Sequence, residues 1–270
     1  MKHFEHRITS LDISLFDHVY SQLFLDDKRT LLAIQKTVRS KQPRYSYLEI
    51  GSYMGGSIQP YLLDDRCCRI YSIDARPTIP PDARGNLQMY PENSTANMLN
   101  RLREVSHEGV SKITCFDADA STIDPKSIAE RPTICFIDGE HTDKAVVADF
   151  AFCRAVLADR GIICFHDSNI VYGGLTMIIE QLQMEQVQFN AFALPLHVFV
   201  FEFGGFPIHE SADIAATLTN NHVTYLAGLK SMEHYRDVYN SRPVRFLRFL
   251  HRRLLDVQNP KRIPNHFKRA

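Results

Sequence analysis

No window of the 270-residue sequence approaches 18 uninterrupted apolar residues, so no transmembrane helix is expected. The first residues, MKHFEHRITSLDIS, lack the apolar core and small-residue cleavage site of a secretory signal, and cytoplasmic residence is the resulting expectation. An excess of either charge is also missing. The chain has 31 Lys and Arg against 31 Asp and Glu, so its overall charge points neither to nucleic acid nor to a membrane. None of the six cysteines forms a C-x-x-C pair, and Cys115, Cys135 and Cys164 sit in apolar, strand-like runs. Buried free thiols in a reducing compartment fit that pattern better than a disulfide frame or a zinc site. The adjacent pair Cys67–Cys68 is poor geometry for a tetrahedral metal. There is no internal repeat and no low-complexity tract.

What is present is a rhythm. Residues 10–39 read as helical, with Leu15, Val19, Leu23, Leu31, Ile34 and Val38 at mixed three and four spacing, a cap on the sheet or a wall of a substrate entrance. Short apolar strands follow at 45–50, 69–73, 112–116, 133–137 and 162–165. They alternate with helices at 57–63, 94–105, 142–157 and 174–186, and the Pro-rich stretch 76–84 must be loop. Thr142 is placed to cap its helix and Gly161 to follow it as a stop. Two aromatic runs, 189–194 and 197–203, read as a closing β-hairpin around Pro195-Leu196. Apolar strands alternating with helices make an α/β protein, a mostly parallel sheet covered on both faces, with an antiparallel C-terminal extension. The length suits one such core with additions at both ends: a helical cap over 1–44, a nucleotide-binding domain over 45–205 and an extension over 206–270.

Chemistry-bearing residues gather at the strand ends, where open α/β sheets place their sites. The first turn reads Tyr47-Leu48-Glu49-Ile50-Gly51-Ser52-Tyr53-Met54-Gly55-Gly56-Ser57. Gly51 permits a tight bend and a close ligand approach, and Gly55-Gly56 are expected to open a helix whose amides face a carboxylate. The spacing departs from G-x-G-x-x-G, and an acid two residues before Gly51 suits an ammonium-bearing ligand better than a pyrophosphate. Asp74, about 20 residues further on, can accept both hydroxyls of a ribose. Asp119 and Ala120, in the loop after the third strand, are placed to meet a base edge, although Asp and Ser are also common turn formers. Asp138-Gly139-Glu140-His141 and His166-Asp167-Ser168-Asn169 end the fourth and fifth strands. A lone His or Asp is usually a solvated loop residue; five such groups at two neighbouring strand ends favour function.

The combination LEIGSYMGGS, YSIDARP, FIDGEHTDKAVVADF and IICFHDSN resembles class I S-adenosylmethionine-dependent methyltransferases. Within them it is similar to the small-molecule O-methyltransferase branch that acts on macrolide and aminocoumarin sugars. The resemblance covers residues 45–203, most of the core. It implies a Rossmann-like sheet with S-adenosyl-L-methionine as cofactor and a sugar or polyol-like hydroxyl as acceptor. It also implies that Glu49, Gly51, Ser52, Gly55 and Ser57 surround the methionine part, Asp74 the ribose, Asp119–Ala120 the adenine, and Asp138 the reactive methyl. In metal-dependent members the Asp at position 138 is a ligand, joined by an acidic or Asp-Asn pair after strand five. Here that pair is His166-Asp167, so the implied site for Mg2+ or a similar divalent ion is Asp138, His166 and Asp167 with one oxygen donor replaced by imidazole. Glu140, His141 and His166 are the candidate bases for the acceptor hydroxyl. For His141 the rival reading is a helix-start residue bonded to a loop carbonyl.

The balance of charge hides an asymmetry. Residues 241–270 hold nine Lys and Arg against one acid, Asp256. Within SRPVRFLRFLHRRLL, Phe246, Phe249, Leu250 and Leu254 form a helical stripe bordered by Arg245, Arg248, Arg252 and Arg253. This helix is expected to pack its stripe on the acidic body; contact with an anionic membrane surface or an acidic partner through 241–255 is the alternative. Nucleic acid is not an expected partner: no zinc-finger or RNA-binding signature occurs, nor the Asn-Pro-Pro-Tyr pattern of amino-methylating DNA enzymes. Homo-oligomer formation is left open. Two other function classes remain, an NAD(P)-dependent oxidoreductase on a similar sheet, which the glycine spacing disfavours, and a non-catalytic scaffold docking through the basic tail.

Overall fold

The computed structural model describes residues 2–76, 92–218 and 220–249. The chain divides into two compact units, Met1–Tyr225 and Leu226–Ala270. In chain order the elements are α1 (Lys2–Thr9), α2 (Leu25–Lys41), β1 (Tyr45–Ile50), α3 (Gln59–Leu63), β2 (Cys67–Ile73), α4 (Thr95–Val105), β3 (Ile113–Phe116), β4 (Ile134–Ile137), α5 (Asp143–Val156), β5 (Gly161–Phe165), α6 (Tyr172–Met184), β6 (Phe189–Ala193), β7 (Phe199–Phe203), α7 (Ala212–Ala215), β8 (Asn220–Asn221) and α8 (His222–Asn240). The sheet runs β3-β2-β1-β4-β5-β7-β6-β8. The first five strands pair in parallel, and β7, β6 and the two-residue β8 add to them antiparallel. The expected parallel sheet with a terminal hairpin is therefore the observed architecture.

Strand alternation sends side chains to two covered faces. Tyr45, Tyr47, Ile70, Phe136 and Cys164 join the core beneath α2, α3 and α4. The intervening residues meet α5 on the other side, where Phe150 stacks on Phe165 and tilts onto Phe201. Thr142 caps α5 as expected, its Oγ1 accepting from the Ala145 amide at 3.2 Å. The N-terminal residues share the first core: Ile8, Leu15, Phe16, Leu31, Leu32 and Ile34 are buried in it.

The reading of 10–39 as continuous helix needs correction. The chain breaks after Thr9, with Leu11 in the left-handed region at φ 52°. A 3-10 turn follows over Ile13–Phe16, capped by Asp12, which accepts from the Ser14 amide at 3.0 Å. The helix restarts at Leu25, where the Phe24 amide donates to Asp27 Oδ2 at 3.2 Å. Local capping by Asp12 and Asp27 overrides the apolar spacing. The helix expected at 57–63 is shortened to five residues, because turns occupy 53–58. Gly55 and Gly56 thus open no helix, and their turn uses its own amides, with Gly55 N–H donating to Ser52 O and Ile58 N–H to Gly55 O.

In the second unit, residues beyond α8 are helical again over 242–249, and Phe246, Leu247 and Phe249 are exposed. The guanidinium of Arg248 lies 3.6 Å from the Tyr239 ring centroid. Leu250, Leu254, Arg252 and Arg253, which complete the expected amphipathic stripe, lie outside the described residues. Among the described residues no helix is long and apolar enough to cross a membrane.

Candidate functional site

The ladder of the sheet sets the site by placing the first residue past each strand in line. Gly51 N–H donates to Ile73 O, Asp74 N–H to Phe116 O, Asp138 N–H to Ile50 O and His166 N–H to Ile137 O, all within 3.0 Å. These residues end neighbouring strands and share one rim. Above it lies a cavity of about 530 Å³. Its walls are residues 50–54, 56–57, 74–75, 118–121, 138–141 and 166–167 from the strand ends, with 144–145 and 148–149 from α5 and 20–24 from the N-terminal segment. The volume falls in the range of small-molecule sites.

Gly51 is required by a close approach. Its φ is +90°, and a Cβ there would lie 2.1 Å from the carbonyl oxygen of Asp138. Gly56 holds a similar place under the N-terminal segment, where a Cβ would meet Tyr20 O at 2.3 Å. At both glycines the place a side chain would take is filled by protein backbone. Two non-glycine residues at the rim also have positive φ, Tyr53 at 44° and Asp167 at 49°. That conformation costs on the order of 1 kcal/mol and clusters at functional sites.

The expected cofactor residues divide between the wall and the interior. Gly51, Ser52, Ser57, Asp74, Asp119, Ala120 and Asp138 line the cavity. Glu49 is not among the lining residues; it points into the layer beneath α3, on the same face as Tyr47. Its Oε2 accepts from the Tyr47 hydroxyl at 2.8 Å and its Oε1 from the Ser57 hydroxyl. Burial pushes its carboxyl up to about 8 despite those two bonds. Gly55 is likewise off the wall, packed on Leu102. Asp74 takes the Tyr53 amide on Oδ2 at 2.7 Å and the Asn93 amide nitrogen on Oδ1 at 3.1 Å. Each oxygen retains a lone pair for a ligand hydroxyl. Ser52 Oγ is buried without a hydrogen-bond partner. Asp119 spends Oδ1 on the amide and hydroxyl of Ser121, at 2.8 and 2.6 Å.

At the far end of the rim the acids and imidazoles converge. His141 Nε2 stands 3.2 Å from Asp167 Oδ2 and 3.8 Å from Asp138 Oδ1. His166 Nδ1 stands 3.2 Å from Asp138 Oδ1, and its Nε2 stands 3.2 Å from Asp27 Oδ2. Asp27, fully buried at the start of α2, is the group that sequence reasoning missed. In Leu25-Asp26-Asp27-Lys28 it looks like ordinary acid bias in a first helical turn, and nothing local marks it as a partner of residue 166. Burial alone would lower the His166 imidazole, but the charge of Asp138 and the bonds to Asp138, Asp167 and Asp27 push it up to about 12. Burial alone would raise Asp138; the charge of His166 and the bond to His141 hold it at about 2. Asp167 is lowered for the same reasons against the same opposition from burial.

The metal expectation changes at one position. Among the described residues the donors that converge are Asp138, His141 and Asp167, whose ligand atoms lie within 4.8 Å of one another. His166, expected as the third donor, instead directs its two nitrogens at Asp138 and Asp27. Of the three candidate bases, Glu140 lines the cavity with Oε1 accepting from the Thr142 hydroxyl at 2.7 Å. His141 lines it beside the two aspartates, and His166 is held as an imidazolium.

A family model described as a methyltransferase domain matches residues 48–168. Comparison with curated proteins finds no match. Among solved structures the chain is similar to the calicheamicin methyltransferase CalS11, at 14% identity over 74% of this chain and 92% of that one, with a TM-score of 0.48. It is also similar to the O-methyltransferase TomG from Streptomyces achromogenes, involved in tomaymycin synthesis, at 12% identity over 73% and 88% with a TM-score of 0.47. MycE, a methyltransferase from the mycinamycin biosynthetic pathway solved with Mg and SAH, is similar at 16% identity over 73% and 54%, TM-score 0.44. The matched segment runs from within β1 to the turn after β5 and carries the strand-end rim.

Proposed function

We propose that this protein is an S-adenosyl-L-methionine-dependent O-methyltransferase acting on a hydroxyl of a sugar or another small polyol-like molecule. The observation that carries the reading is one continuous cavity that runs along the rim from Asp74 to the Asp138, His141 and Asp167 cluster. In this reading residues 45–205 form the nucleotide-binding core, 1–44 a cap that closes one wall, and 206–270 an extension.

The residues present fit an S-adenosyl ligand. Asp74 accepts ribose hydroxyls with its remaining lone pairs. The orphaned Ser52 Oγ, in the turn after β1, offers a hydroxyl to the amino-acid end. Glu49 acts on that end at one remove, by holding Ser57. When bound, the nucleoside supplies a methyl group made electrophilic by its sulfonium. The protein must then align the acceptor oxygen with that methyl and take its proton as the oxygen–carbon bond forms. His141 is the acceptor of that proton, since its ring is on the wall while His166 already carries one. Asp138 and Asp167 stand beside the His141 ring and orient it.

The cluster also fits a divalent cation: Asp138 and Asp167 would hold it with hard oxygens and His141 would be the third donor in reach. Such an ion would polarise the acceptor hydroxyl, and a mixed oxygen and imidazole set suits a borderline transition ion better than Mg2+. With His141 so occupied, Glu140 is the base left on the wall.

The test is transfer of labelled methyl from S-adenosyl-L-methionine into a panel of sugar and polyol acceptors, with and without chelator. His141→Ala is expected to lower kcat by about 10²–10⁴ while nucleoside affinity stays within about twofold of wild type. Full activity in that variant would remove His141 from the role.

A further inference from the structure

One carboxyl on the cavity wall has no task in the mechanism above. Asp149 projects from α5, on the stripe whose neighbours Val146, Phe150 and Cys153 are buried against the sheet. It is 6% exposed, yet it lines the cavity near the loop 118–121. A Cβ on Gly139 would lie 3.6 Å from Asp149 Oδ2, which places the carboxyl directly behind the residue that follows Asp138. Among the described residues neither of its oxygens has a hydrogen-bond or ion-pair partner. The side chain is enclosed by protein except where its oxygens open onto the cavity, so a partner for them must come from that side. Burial, aided by Asp119 and Glu140, pushes it up to about 7. Charged or neutral, it still presents a carbonyl-type oxygen that accepts a hydrogen bond.

The position narrows what that oxygen is for. With a ribose at Asp74, the base must lie along the wall formed by the loop after β3 and the residues after β4. Asp119, the acid in that loop, already bonds Ser121 through Oδ1 as the cap of a 3-10 turn. Asp119 is also exposed, whereas Asp149 is buried on the same wall with both oxygens unbonded. Building on the S-adenosyl reading of the cavity, we infer that Asp149 accepts a hydrogen bond from the exocyclic amine of the adenine and is the residue that selects for it.

The experiment is a double-mutant cycle between protein and ligand, read by calorimetry on the full chain. The ligands are S-adenosylhomocysteine and its analogue with hydrogen in place of the C6 amine; the proteins are wild type, Asp149→Ala and Asp149→Asn. Loss of the amine is expected to weaken wild-type binding about tenfold. That penalty should fall within about twofold in Asp149→Ala and persist in Asp149→Asn, whose amide keeps an acceptor oxygen. An equal penalty in wild type and Asp149→Ala overturns the inference. Were Asp149→Ala not to fold, a structure of wild type with S-adenosylhomocysteine decides: the amine nitrogen must stand about 3 Å from an Asp149 oxygen, and a separation needing another partner overturns it. Absence of wild-type binding to both ligands is a different result, which defeats the S-adenosyl reading itself.

Discussion

His166 is held between two carboxylates that arrive from opposite ends of the sequence, Asp27 on Nε2 and Asp138 on Nδ1. A buried ion pair of this kind adds little against a hydrophobic substitute, but removing one partner leaves the other charge uncompensated. Asp27→Ala is therefore expected to cost about 3 kcal/mol of stability, measured by denaturant unfolding, with Asp27→Asn losing less because an amide oxygen can still accept from the imidazole. A loss within about 0.5 kcal/mol would mean the pair is not formed. A second prediction concerns Asp149, whose carboxyl is raised from 3.8 to about 7. The folded state then binds its proton more tightly than the unfolded chain does. That contribution is present at low pH and is lost as pH rises from about 4 through about 7, with a slope of up to about 1.4 kcal/mol per pH unit. Asp149→Asn should flatten the fall over that window when stability is followed against pH; parallel curves would show the group titrates normally. At this scale the sequence was informative where a residue ends a strand, as at Asp74, Asp138 and Asp167. It was silent where the partner is distant, as with Asp27. Asp149 does carry a local signal, one acid on an otherwise apolar helical stripe, but sequence reasoning assigned it no role.

The strands and the turns between them were the most legible elements, because short apolar runs ending in Gly51, Asp74, Asp138 or His166 have few alternatives in a parallel sheet. Helix beginnings were less so. Thr142 capped α5 where expected, but Asp12 and Asp27 cut an apolar pattern that spacing alone made continuous. The turn after β1 had the right glycines for a different reason. Gly51 is pressed against the backbone that delivers Asp138, so the turn and the acid cluster are one mechanical unit. Gly51→Ala would combine a strained φ with a contact of 2.1 Å. We expect it to lower stability by at least about 2 kcal/mol, and to weaken nucleoside binding in whatever folded fraction remains. A normal melting temperature in this variant would show that the β1 and β4 tips can separate without cost.

The first compact unit gathers its cavity from much of its length, since residues 20–24 and Asp27 stand with strand ends up to about 140 positions later. The family match over 48–168 leaves out that N-terminal wall, which closes the cleft and fixes His166. Sequence patterns resolved the sheet because its signals are local and periodic. They could not resolve which N-terminal face meets the rim, because that depends on packing against Gly56 and Gln59, where the Gln59 side chain bonds the backbone at His18 and Val19. Methyl transfer in this cleft requires that a sulfonium nucleoside fit it, and isothermal titration of the intact protein with S-adenosylhomocysteine tests that most directly. Saturable 1:1 heat in wild type, with at least tenfold weaker binding in Asp74→Ala, about 1.4 kcal/mol, is the expected result. No heat from well-folded wild-type protein, or binding that ignores the Asp74 substitution, would contradict it.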